Sequence, residues 1–200
     1  MGTLRWTALG VFAAVAIATW WAPRWPAEQA LHGSLTVIGL ALLLSFWRRL
    51  PARSFVLVLT FLTLHTIAAR WLYSFVPYDD WTDSLLGFRL SETFGWQRNH
   101  FDRLVHFAYG VCAASVLFAY FRENRGWRPR FAALVSVEVV LSTSAVYELF
   151  EWVIAVLLSP EAAEAYNGQQ GDIWDAHADM ALALGGAMIA SVVSWMRARP

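Results

Sequence analysis

The sequence predicts an all-α fold: a polytopic membrane protein, a bundle of about six transmembrane helices forming one domain over residues 1–200. Three observations predict it. Of 200 residues, 58% are hydrophobic and only 15% charged, whereas a soluble domain has about a quarter of its residues charged and under half apolar. Mean hydropathy is +0.45. Six stretches also reach the roughly 17–25 apolar residues that a membrane helix requires.

The first span covers Trp6–Ala22. Its exit reads Trp20-Trp21-Ala22-Pro23-Arg24, which lacks a small-x-small cleavage site and fits an interfacial aromatic belt, so the span is expected to be retained. The second covers Ala30–Trp47, the third Phe55–Phe75, the fourth Asp102–Phe121, the fifth Ala132–Leu158 and the sixth Trp174–Met196. Arginine sets the orientation. Ten arginines flank the spans on the side of the termini and of the loops holding Arg48 and Arg122, against three (Arg24, Arg89, Arg98) on the other. The positive-inside rule then puts both termini in the cytoplasm. The outward loops become Tyr78–Phe101 and Ser159–Ile173. The middle of the first, Trp81–Phe94, mixes aromatic and acidic residues and suggests a short helix on the membrane surface.

Composition also excludes chemistry. All fifteen basic side chains are Arg, which removes lysine Schiff bases and the phosphate-loop lysine. Zero net charge gives no reason to invoke nucleic acid, and the bilayer is the expected partner. A single cysteine, Cys112, allows neither an intrachain disulfide nor a cysteine-based zinc site.

Ionisable residues inside the spans are costly in lipid and normally face a bundle interior. Arg70, His106, Glu151 and Asp179 fall roughly 7–10 Å to the outer side of their span midpoints, at about 1.5 Å per residue. Glu148 lies deeper, and Asp102 and Asp175 lie nearer the outer surface. Asp102 and His106 are four apart, Glu148 and Glu151 three apart, and Asp172, Asp175 and Asp179 follow at three and seven, so each set occupies one helix face. His177 points away from Asp175. Asp102, Glu148, Glu151, Asp175 and Asp179 against Arg70 and Arg103 leave three formal negative charges, which a low-dielectric layer does not sustain. Protons, a divalent cation or a cationic ligand must make up the difference. A histidine with carboxylates suits Zn, Mn or Fe, and carboxylates alone suit Mg or Ca.

Other features have packing explanations. Gly110-x-x-x-Ala114 and Gly186-x-x-x-Ala190 suit close helix contact. The twelve Trp are expected mostly as interfacial anchors. His65 is expected as a satisfied core histidine, and His32 and His100, near span ends, as solvated.

Arg98-Asn99-His100-Phe101-Asp102-Arg103-Leu104-Val105-His106-Phe107 is followed by Tyr147-Glu148-Leu149-Phe150-Glu151-Trp152, and then by Gln170-Gly171-Asp172-Ile173-Trp174-Asp175-Ala176-His177-Ala178-Asp179-Met180. In order and spacing this resembles the YjdF-like family of bacterial inner-membrane proteins, most strongly over about 76–187. The resemblance implies a multi-pass inner-membrane protein but no reaction, since the family is a domain of unknown function. It points to Asp102, Arg103, His106, Glu148, Glu151, Asp172, Asp175 and Asp179 as the residues to follow.

The leading functional expectation is an outward-facing carboxylate–histidine site for a divalent metal ion (Zn, Mn, Mg or Ca). It would serve hydrolysis of a lipid-linked or periplasmic substrate, or coordination alone. Asp102, His106, Glu151, Asp172, Asp175 and Asp179 are the metal-ligand candidates. Glu148 is the candidate general base for the attacking water, with Arg70 and Arg103 clamping an anionic head group. The alternatives are a small ion- or proton-coupled transporter, with Glu138 as an inner station, and a structural or assembly factor whose ion pairs only hold helices together.

Overall fold

A computed structural model describes residues 2–157 and 167–198. Among them are eight helices: α1 (Gly2–Thr19), α2 (Pro26–Ser45), α3 (Ala52–Arg70), α4 (Tyr78–Leu86), α5 (Leu90–Phe94), α6 (Phe101–Arg125), α7 (Pro129–Leu157) and α8 (Asp175–Arg197). Six of these, all but α4 and α5, are long and apolar enough to cross a membrane. Prolines punctuate the starts. Pro26 and Pro129 open α2 and α7, where their missing N–H costs nothing, and Pro51 and Pro77 stand immediately before α3 and α4.

Two helices organise the rest. α3 packs against α1, α2 and α6, while α6 packs against α3, α7 and α8, and α7 also packs on α8. The bundle is therefore two three-helix groups joined along α3–α6. Phe12, Leu43, Phe55, Leu59 and Leu62 fill the first group. Ala114, Val140, Ala183, Ala187 and Ala190 fill the second with side chains so small that the backbones meet. A Cβ at Gly110 would run into the Ala183 carbonyl, and one at Gly186 into the Phe107 carbonyl. The two small-residue spacings do what their pattern predicts: they bring α6 and α8 together.

Three local expectations change. The third span ends at Arg70 rather than Phe75, because Leu72 and Tyr73 turn the chain in the left-handed region (φ 47 and 58). Both side chains are buried in that turn, so burial holds a conformation their type disfavours. The segment 78–101 holds two short helices rather than one, broken after Leu86. His32 is not solvated. It is 1% exposed, its ring 5.0 Å from that of Tyr73, because the turn after α3 folds back over the start of α2. His65 is the expected core histidine, sharing a 3.0 Å hydrogen bond with Thr36. The last residue of the fifth predicted span and residues 159–166 of the second outer loop lie outside the described residues.

Candidate functional site

The site is built where α6 and α8 begin. Asn99 closes the entry to α6: its side-chain oxygen accepts from the Phe101 amide (3.0 Å) and its side-chain amide donates to the Val76 carbonyl (2.9 Å). Gln170 grips the backbone of the same residue from the other chain segment. It accepts from the Asn99 amide at 2.9 Å and donates to the Asn99 carbonyl at 3.1 Å. Two residues later Asp172 accepts the Trp174 amide (2.9 Å), turning the chain into α8. The segment before α8 is thus pinned to the segment before α6, and the first turns of both helices stand side by side.

That juxtaposition creates an ionic layer at this end of the bundle. Arg98 reaches Asp175 at 2.5 Å and Asp172 at 3.3 Å, and Arg103 reaches Asp172 at 2.6 Å and Asp175 at 3.1 Å. Two guanidiniums neutralise two carboxylates. The hydrogen bond from the Trp174 amide, reinforced by Arg103, holds the Asp172 carboxyl below the usual range. His100, just before α6, is held below the usual imidazole value by burial and by Arg103 and Arg98 beside it.

One turn deeper lies a second layer without arginine. His106 has Asp102 beside it, Nε2 to Oδ1 3.5 Å, and faces Glu148 of α7 at 3.9 Å from Nδ1. Asp102, His106 and Asp179 each offer a ligand atom within 4.8 Å of the others, a spacing one ion could bridge. Asp179 is only 2% exposed, and its Oδ1 has no hydrogen-bond partner. Oε1 of the buried Glu148 is also without one. A buried carboxylate oxygen left unpartnered is costly, and such an atom in a native structure calls for an explanation. Glu151 stands next to Glu148 and Tyr147.

Below His106 opens a chamber of about 250 Å³ between α2, α3, α6 and α7. His65, Tyr109, Thr143, Ser144 and Tyr147 supply its polar wall. Tyr109 and Thr143 share a hydrogen bond of 2.5 Å, while the Ser144 hydroxyl, 2% exposed, has no partner.

The predicted residues therefore separate into groups. Asp102, His106, Glu148 and Asp179 form the inner cluster, with Glu151 adjoining. Asp172, Asp175 and Arg103 form the outer ion-pair layer with Arg98. Arg70 joins neither. It donates to the Thr19 carbonyl at 2.5 Å and lies over the Trp71 ring. It sits five residues past His65, about 140° around α3, which turns it from the chamber toward α1. Glu138 and His177 are exposed. Sequence reasoning missed Arg98, Asn99, Gln170 and Ser144 as site-builders. Ser144 had a signal, lying four residues before Glu148 on the same face. Arg98 counted only as a loop cation.

A helical bundle with six apolar spans and a buried carboxylate–histidine cluster near one end defines a polytopic membrane protein with a polar intramembrane site. The family described as "Predicted membrane protein (DUF2238)" matches residues 4–200, and the chain belongs to it. The chain is 34% identical to inner membrane protein YjdF of Escherichia coli (strain K12) over 155 residues, 76% of this chain and 70% of that protein. No solved structure matches.

Proposed function

We propose that this chain is an inner-membrane protein with both termini in the cytoplasm and an outward-half metal site, hydrolysing a lipid-linked or periplasmic substrate. Asp102, His106 and Asp179 hold the divalent cation, and Glu148 serves as general base. The observation that carries this reading is Asp179: a carboxylate 2% exposed, one oxygen unpartnered, beside a histidine and a second carboxylate. Charge supports it. Arg98 and Arg103 are spent on Asp172 and Asp175, and Arg70 is turned away. Asp102, Asp179, Glu148 and Glu151 then have His106 beside them, with Arg103 acting on Asp179 from the neighbouring layer, so four carboxylates outnumber the positive charge within reach.

A cation bound there supplies Lewis acidity and stabilises developing negative charge. The protein's own groups do the rest. Glu148, facing the cluster from α7, takes a proton from the attacking water. The Ser144 hydroxyl, unpartnered in the chamber wall, donates to a substrate oxygen. The outer ion-pair layer fixes α6 against α8 and keeps the ligands in register. The transporter reading is less well supported, because Glu138 is exposed on the far part of α7 rather than continuing a polar path inward.

The test is metal analysis of purified protein beside Asp179→Asn. The reading expects about one equivalent of a divalent metal in the parent, with metal lost in the variant. Metal-free parent protein after metal-supplemented growth and purification without chelator would reject it.

A further inference from the structure

Beneath the chamber the bundle carries a second, larger hollow that the site does not use. It is about 480 Å³ in volume, bounded by α2, α3 and α6, and runs along α6 from Tyr109 to Tyr120. Its wall is almost wholly apolar, with Leu43, Val58, Cys112 and Val116 among the lining residues. It exists because α2 packs mainly on α3 and leaves a gap toward α6, closed at one end where the Phe46 and Tyr120 rings meet. Leu42, on its rim, is 58% exposed. Gly39, Phe61, Leu62 and Tyr109 line both hollows, so the groove ends where the chamber begins.

We propose that this groove is a binding site for an anionic phospholipid, with one acyl chain lying between α2, α3 and α6 and the head group at the basic end of the bundle. Three features select this occupant. The groove lies within membrane-spanning helices, so hydrocarbon is what surrounds its opening. From Tyr109 to Tyr120 is eleven helical steps, about 16 Å at 1.5 Å per residue, against about 15 Å for half of a hydrocarbon core. One leaflet's chain therefore fills the groove and stops at the chamber. Finally, the charge at the mouth is complementary. Phe46 and Leu50 line that end, and the Arg49 guanidinium lies over the Phe46 ring, 5.7 Å from its centroid, with Arg48 next to it in the chain. Cations at this level attract anionic head groups. The inference is independent of the metal, since no residue named as a ligand touches the groove.

The test uses full-length protein in phosphatidylethanolamine vesicles containing phosphatidylglycerol with a diazirine at the end of one acyl chain. After photolysis, adducts map by peptide. The expected result is concentration of adducts on the groove wall of α2 and α6, around Gly39 and Cys112, over exposed α7 positions such as Leu134 and Val146. Ala113→Trp, which fills the groove, abolishes the groove adducts and leaves those on α7. Val116→Phe is the second filling variant if Ala113→Trp fails to fold. Arg49→Gln lowers groove labelling by phosphatidylglycerol about fivefold, the factor one basic residue near an anionic surface is worth, and leaves labelling by the matching phosphatidylcholine probe unchanged. Even labelling around the belt, or groove adducts that persist in both filled variants, overturns the proposal. So does cross-linking that joins two protein copies through the groove in place of lipid adducts.

Discussion

Asp179 of α8 brings a carboxylate oxygen within 4.8 Å of a His106 ring nitrogen on α6, and this closeness is set by two glycines further along the same helices. Gly110 lies one turn beyond His106 and meets the Ala183 carbonyl. Gly186 meets the Phe107 carbonyl. Any side chain at either position forces the backbones apart, and the ligand atoms move with them.

Gly110→Val and Gly186→Val should therefore each cost about 1–3 kcal/mol, the range for overpacking a tight contact. Gly10→Val is the control, since nothing lies within 4 Å of a Cβ there. Denaturant unfolding in detergent reads the difference. Equal stability of all three variants would contradict the close α6–α8 packing.

The outer layer makes a separate prediction. Asp175→Ala leaves Arg98 and Arg103 sharing Asp172 alone. Breaking a buried pair typically costs about 3–5 kcal/mol. Asp175→Ala combined with Arg98→Met should cost less than the two single changes added, because the double variant no longer buries an excess guanidinium. Additive costs in this double-mutant cycle would mean the pairs are not coupled.

Acid should weaken the same layer in a defined direction. The carboxyl of Asp172 is held below its usual value when folded, so the unfolded chain takes up a proton first as pH falls. The stabilisation is complete above the unfolded value of about 3.9, and is lost as pH falls below it through the lowered folded value. Asp172→Asn should thus be less stable than the parent at neutral pH and converge with it in acid. A gap that widens toward acid would be the wrong sign.

Orientation is tested by fusions. The excess of arginine at one end predicts that a C-terminal reporter is active only in the cytoplasm, and one inserted at Asn167 only outside. An external signal from the C-terminal fusion would reverse the proposed outward site.

How much of this was legible in the sequence follows from what each feature depends on. The six spans depend on composition and length, and the glycine contacts on spacing within one helix, so both could be read directly. The approach of His106 to Asp179 was readable as matched depth, whereas Asp102 and Glu148, expected shallower and deeper, were readable only as sharing helix faces with His106 and Glu151. Which arginine neutralises which acid was not readable. Arg98 reaches Asp175 only because Gln170 binds both backbone groups of Asn99 and folds one loop onto another. Arg70 looked like a member of the layer by depth, and only its angle around α3 takes it to Thr19. The burial of His32 likewise depends on a left-handed turn at Leu72 and Tyr73, residues whose own preferences argue against it.

The central claim is that a divalent cation completes the cluster of Asp102, His106 and Asp179. A thermal-shift series in detergent at neutral pH, with chelator against added Zn, Mn, Mg and Ca, tests it most directly. Ligand that binds only the folded protein adds about 2.7 kcal/mol at a hundredfold excess over Kd. The account predicts that chelator lowers the melting temperature of the parent, that at least one of the four metals restores it, and that Asp179→Asn folds but loses both responses. A parent indifferent to chelator and to all four metals, with Asp179→Asn equally stable, would contradict it.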